Sequence, residues 1–229
     1  MGLEKTPKFK KFLAMKPDEF DGYMCKTYPK QFNQRKLPMN QTCMCWGFCI
    51  NKGWYYHLDE LCNRLDLIQK ETGIWVSWTQ IKEKFASGRF YKYTRYGFST
   101  YFNVPSKFKI VNTIKDIVCT ILNKIFYRMP KEQLDIWAKI IDDMVSNAES
   151  FVGHVCEETG EHIDKPIDTG AWIYPLSEKG FFKVYPDRKD ILKDWKEYKE
   201  EEEKIQNAIL RLNDKKTEEL KKFLKITNK

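Results

Sequence analysis

Residues 74–93 constrain the fold most strongly. Ile74 to Phe85 is β-branched and aromatic, with Trp75, Val76, Trp78 and Ile81; Ala86, Ser87 and Gly88 follow as a turn, and Arg89 to Tyr93 is aromatic again. β-Branched and aromatic residues suit a pleated, half-buried surface, and two such runs about a small-residue turn read as a β-hairpin. A second turn at Gly97 and a further strand from Phe98 to Asn103 extend the pattern.

Helical spacing flanks this hairpin. Leu58, Leu61, Cys62, Leu65 and Ile68 recur on one face of a helix from Trp54 to Lys70, which Thr72-Gly73 ends. Ile110, Ile114, Ile117, Ile121 and Ile125 mark a second helix from Lys107 to Arg128. Met129-Pro130 breaks it, and Pro130 starts a third, where its missing N–H costs nothing. Leu134, Trp137, Ile140, Ile141, Met144, Val145 and Ala148 give that helix its core stripe, and the two helices are most simply an antiparallel pair. Residues 153–186 read as irregular, with short strands around Trp172 to Tyr174 and Phe181 to Tyr185. Residues 1–45, basic and containing Pro7, Pro17, Pro29 and Pro38, read as loops with short helical turns such as Pro17 to Tyr23. The fold class is therefore α+β, with helices packed on a small antiparallel hairpin. It divides into a basic segment (1–45), a core domain (46–186) and a charged amphipathic helix (187–229).

In that last segment Ile191, Trp195, Tyr198, Ile205, Ile209 and Leu212 are spaced by three, four or seven, with Glu202 interrupting. The stripe fits a helix packed on its own domain, or a coiled segment that binds a partner or forms a homo-oligomer.

Net charge is +8, and 42% of the 229 residues are hydrophobic, enough for a core. A positive field concentrates anions, so nucleotides, nucleic acid and acidic proteins are admitted as partners. The basic residues are interleaved with acids, which disfavours wrapping of duplex DNA. Seven cysteines, odd in number and clustered, do not form a disulfide framework. The lysine-studded start lacks a signal-peptide core, and no apolar run is long enough to span a membrane. The expected location is the host cytoplasm. Met1-Gly2 to Thr6 fits the loose myristoylation pattern, which is short, common by chance and dependent on a eukaryotic transferase.

No catalytic or metal signature is complete, and no cofactor is expected. Cys43, Cys45 and Cys49 with His57 lack the paired spacing and the fourth ligand of a structural zinc site. His154, Cys156 and His162 offer a metal cluster or a Cys/His nucleophile, without an orienting third residue. By alternation the hairpin places Gln80, Lys82 and Lys84 on one side of its first strand, and Arg89, Tyr91 and Tyr93 on one side of its second. Cations among aromatic rings can hold an anion while a ring stacks on a planar group. The alternative is the polar solvent face of a half-buried sheet. Trp54 and Tyr55 complete the candidate ligand-binding set of Gln80, Lys82, Lys84, Arg89 and Tyr91.

The hairpin carries a resemblance. Thr79 to Phe85 followed by Arg89-Phe90-Tyr91 resembles the QxKEKFG-LRFY core of an uncharacterised family found in bacteriophages and bacterial genomes. Tyr28-Pro29, Trp46-Gly47, Gly53-Trp54-Tyr55, Ala148-Glu149, Cys156 to Gly160, and Trp172-Ile173 with Leu176 are similar, in order, to its weaker blocks. The family's C-terminal part looks like a four-cysteine zinc knuckle; here Cys156 matches, while Thr159, Ser177 and Gly180 stand in the other places, which implies that the knuckle is lost. Ala86 replaces the family's glycine, and the helix beyond Asp187 is an addition. The resemblance implies a phage or prophage origin and supplies no activity. The expectation is a non-enzymatic phage protein that inhibits or sequesters a component of host defence or metabolism. The alternatives are a nucleotide- or nucleic-acid-binding protein of phage DNA or RNA metabolism, and an enzyme using Cys156.

Overall fold

The computed structural model describes residues 6–84, 87–96, 129–168 and 173–227. In chain order the elements are α1 (Pro7–Ala14), α2 (Pro17–Thr27), β1 (Phe48–Cys49), α3 (Tyr55–Thr72), β2 (Ile74–Lys84), β3 (Ser87–Tyr96), α4 (Lys131–Val152), β4 (Ile167–Asp168), β5 (Ile173–Tyr174), α5 (Glu178–Val184) and α6 (Lys189–Thr227). The fold is α+β: helices pack on a small sheet, and a long helix closes the chain. The second turn at Gly97, the strand Phe98 to Asn103 and the helix Lys107 to Arg128 lie outside the described residues, and so does the antiparallel helix pair.

Within residues 6–45, expected as loops with short helical turns, two helices form, and the turn expected at Pro17 to Tyr23 runs on to Thr27. Pro7 and Pro17 each open a helix, the position that a missing N–H suits. The Thr6 hydroxyl accepts the Phe9 N–H at 3.2 Å, and Glu19 accepts the Lys16 N–H at 3.0 Å. Phe12, Phe20 and Met24 from these helices join Trp54, Leu58, Leu65, Trp78, Ile81 and Ile141 in the main core. Phe20 stacks on Tyr55 with ring centroids 3.8 Å apart.

α3 ends at Gly73, whose φ of 73° is the left-handed conformation that terminates a helix without a Cβ penalty. β2 then pairs antiparallel with β3 and parallel with β1, giving the order β1-β2-β3. Ile74 to Trp78 is buried on both faces. The segment after α2 lies against it: Trp78 donates its N–H to the Gln31 carbonyl at 2.9 Å, and Gln34 donates to the Ser77 hydroxyl at 2.7 Å. The register shifts between Trp78 and Gln80; such a bulge re-aims the side chains that follow. From Gln80 onward β2 has one covered and one open face.

α4 covers the inner face of β3. Glu149 accepts the Phe90 N–H at 2.5 Å, and Lys92 pairs with Asp142. A second cluster holds Cys156, Ile163, Ile167, Leu176, Phe181, Leu192 and Trp195. The short strand expected at Trp172 to Tyr174 is present at Ile173–Tyr174, paired with β4. The strand expected at Phe181 to Tyr185 is helix α5 instead. Ser177 caps it by accepting the Gly180 N–H at 3.1 Å, and the helical spacing of Phe181 and Tyr185 brings their rings to 5.2 Å.

Candidate functional site

The sheet carries two opposed rows of side chains. Phe48, Ile81 and Phe90 are register partners across all three strands, and so, one residue on, are Cys49, Lys82 and Arg89. Strand periodicity sends the two rows to opposite faces. Ile81 and Phe90 are buried, whereas Cys49 and Arg89 are exposed and Lys82 is half-buried. Gln80 and its partner Tyr91 extend the open row by one step on one side, and Lys84 does so on the other. Tyr91 is 47% exposed, and the Lys82 ammonium stands 5.5 Å from its ring centroid.

Lys82 and Arg89 sit directly opposite one another. Like charges in such a pair are destabilising, and neither residue has an ion-pair partner among the described residues. Lysines elsewhere are paired: Lys52 and Lys183 both reach Glu158, at 2.8 and 2.7 Å, and Lys92 of β3 is committed to Asp142.

Five of the expected binding residues, Gln80, Lys82, Lys84, Arg89 and Tyr91, therefore lie on one surface. Trp54 and Tyr55 do not join them. They are 0% and 2% exposed; the Trp54 indole N–H is bonded to the Val155 carbonyl at 2.8 Å, and burial first, then Glu157, pushes the Tyr55 hydroxyl up to about 12. Their aromatic character serves the core. Cys49 is the member that sequence reasoning missed, because a strand of two residues carries no alternation to read.

The alternative site around Cys156 is closed. Its thiol is 0% exposed, accepts from the Thr159 N–H at 3.4 Å, and lies 3.4 Å from the Ser177 hydroxyl oxygen. His154 and His162 are exposed and lie near each other rather than against the sulfur. The Cys/His nucleophile is thereby corrected to a buried, hydrogen-bonded thiol.

Cys156, Thr159, Ser177 and Gly180 lie close together. Thr159 Oγ1 and Ser177 Oγ are 3.4 Å apart, Ser177 Oγ donates to Glu161 at 2.9 Å, and a Cβ on Gly180 would stand 2.5 Å from Cys156 Sγ. One thiol, two hydroxyls and a glycine do not fit zinc. The two hydroxyls are hydrogen-bonded among themselves and to Glu161, and the Cys156 sulfur fills the space beside Gly180. Around Cys43, Cys45, Cys49 and His57 no metal cage forms either: among the described residues no three such groups gather in a geometry that could hold an ion. The His57 ring packs instead on Phe9 and Phe151, and burial pulls its pKa down to about 4.

A cleft of about 380 Å³ lies between α3 and α4, with Tyr56, Phe151 and Met144 as apolar wall and Arg64 and Asn147 among its polar groups. Its two walls are far apart in sequence, so no local pattern announces it. No protein-family model matches this chain, and comparison with curated proteins and with solved structures finds nothing similar.

Proposed function

We propose that this is a non-enzymatic binding protein that captures an anionic partner on the open face of its hairpin. The observation that carries the reading is the opposed pair Lys82 and Arg89, two cations held side by side at a cost to the fold, beside an exposed tyrosine ring. Residues that break a local rule of stability are characteristic of functional surfaces. An anion placed between them would convert repulsion into attraction, and Tyr91 offers a face for a planar group. The likeness of the hairpin to a phage and prophage family supports the wider proposal. In that setting the protein inhibits or sequesters a component of host defence or host metabolism, in the host cytoplasm, by binding a defence protein or its nucleotide ligand. The stacking surface also favours a second reading, a nucleotide- or nucleic-acid-binding protein of phage DNA or RNA metabolism.

Mass spectrometry of material co-purified from infected cells tests both readings, with the double variant Lys82→Gln/Arg89→Gln alongside. A nucleotide, nucleic acid or acidic protein should be enriched by the natural chain and lost from the variant, whose melting temperature should be no lower than that of the natural chain. Recovery of the same species with the variant would reduce the hairpin to scaffold. Binding that falls steeply with salt would select nucleic acid.

A further inference from the structure

The C-terminal helix presents an interaction surface independent of the hairpin. α6 has 39 residues, about 58 Å of helix, and its beginning packs on the rest of the chain. Leu192 and Trp195 are buried, the Trp195 indole donates to the Pro166 carbonyl at 3.1 Å, and Lys165 pairs with Glu202 at 2.5 Å. From Glu203 to Glu219 every residue is exposed. Tyr198 is 61% exposed, Ile205 56%, Ile209 46% and Leu212 61%. At 100° per residue these four form one stripe, rotated by roughly 100° from the face that Leu192 and Trp195 bury. A helix of this length draws its stability from packing an apolar face, and this face has no cover among the described residues.

The charges say what covers it. Glu200, Glu201, Glu202 and Glu203 precede the stripe's centre, while Arg211, Lys215 and Lys216 follow it. A parallel copy would set glutamates against glutamates and lysines against lysines. An antiparallel copy sets each block against its complement. We propose that α6 pairs antiparallel with α6 of a second copy of this chain. In heptad terms Glu202, Ile209 and Lys216 are a positions, and Tyr198, Ile205 and Leu212 are d positions. Packing a against d places Ile205 on Ile209 of the partner copy twice, at the centre of the two-fold. Tyr198 then faces Lys216 of the partner copy, and Leu212 covers the stem of Glu202. The flanking g positions bring Glu201 beside Lys215 of the partner copy, again twice. The open hairpin face is left untouched.

Sedimentation equilibrium of the full chain, over a concentration series reaching the high micromolar range, reads this directly. The natural chain should dimerise, and Ile205→Asp/Ile209→Asp should be monomeric throughout with unchanged tryptophan fluorescence. Glu201→Lys alone and Lys215→Glu alone should each weaken the dimer by about tenfold, since each removes two ion pairs and adds repulsion. The double swap should return to within about threefold of the natural chain. A carbodiimide cross-link between Glu201 and Lys215 would come from the antiparallel pair alone, since the two lie about 21 Å apart along one helix. A natural chain that stays monomeric, a dimer that survives the Ile205/Ile209 variant, or a double swap no better than the singles would overturn the proposal. So would a chain that is monomeric by itself and engages α6 only with a foreign protein.

Discussion

A β-carbon on Gly53 would stand 2.1 Å from the carbonyl oxygen of Cys156. The Gly53 N–H donates to the neighbouring Glu157 carbonyl at 2.8 Å, so the contact is backbone on backbone and neither side can move aside cheaply. This contact and the Trp54 indole bond to Val155 fasten the 155–157 segment to the start of α3. Gly53→Ala should therefore cost at least about 3 kcal/mol, beyond ordinary overpacking of side chains. Gly22, inside α2, has nothing within 4 Å of an added Cβ, and Gly22→Ala should stabilise by about 0.5–1 kcal/mol. Urea unfolding of the two variants reads both signs. Equal effects would mean that Gly53 is not a packing point.

Glu157, buried, and His57, half-buried, give the fold opposed pH responses. Burial, assisted by Glu83 and Glu158, pushes Glu157 from its ordinary 4.5 up to about 7, against the pull of its bond from the Asn51 N–H. Its share of stability is full below pH 4.5 and is lost as pH rises through about 7. Burial pulls His57 from 6.5 down to about 4, with a smaller opposing pull from Glu60, so its share is full above pH 6.5 and is lost as pH falls through about 4. Where the windows overlap the slopes cancel, and the natural chain should show a nearly flat stability profile. Glu157→Gln should expose a profile that climbs with pH, and His57→Phe one that falls, each by roughly 3 kcal/mol across its window. Urea midpoints measured from pH 4 to 8 would show it; parallel profiles in all three proteins would contradict the assignment.

The hairpin was legible because its determinants are local: β-branched runs, a small-residue turn and strict alternation from Gln80 to Lys84. What alternation cannot show is register, and the opposition of Lys82 to Arg89 is a fact of register. α3 was legible from its leucines and from Gly73. α2 was legible as a helical turn from Pro17 to Tyr23 but not to its full length at Thr27, and α1 was not legible, because Pro7 looks like a breaker unless it falls on the first turn, where it starts a helix. Phe181 to Tyr185 was misread because five apolar-rich residues fit a strand as well as a helical turn, and the Ser177 cap decided it. Trp54 and Tyr55 look alike in sequence whether they serve a site or a core.

The N-terminal helix is tied down by a buried charge. The Asp59 side chain is 1% exposed and receives the Tyr28 hydroxyl at 2.9 Å, the Tyr23 hydroxyl at 3.1 Å and the Lys8 ammonium at 2.9 Å. Lys8→Met would leave that carboxylate without its counter-charge and should cost about 3 kcal/mol, several times the value of an exposed pair. Asp59→Asn keeps an acceptor for the two hydroxyls without the charge. In the Lys8→Met background it should recover part of the loss, with a coupling of about 1–3 kcal/mol in a double-mutant cycle. Additive losses would show that Lys8 works through its alkyl stem alone.

Cys49 supplies a chemical handle on the hairpin surface. It is exposed and is the register neighbour of Lys82, whereas Cys62 and Cys156 are fully buried. Iodoacetamide should therefore modify Cys49 and spare Cys62 and Cys156 in the folded chain. An added carboxamidomethyl group would stand in the Cys49–Lys82–Arg89 row and obstruct an anion approaching the two cations. Capture of the co-purified partner should fall at least about tenfold, the loss of one charge-assisted contact, in step with Cys49 occupancy followed by peptide mass spectrometry. Cys49→Ser, which keeps the size of the side chain and removes the thiol, should bind normally and resist the reagent. If full alkylation of Cys49 left capture intact, the partner would have to approach from the Tyr91 side alone, and Arg89 rather than Lys82 would be the cation to substitute next.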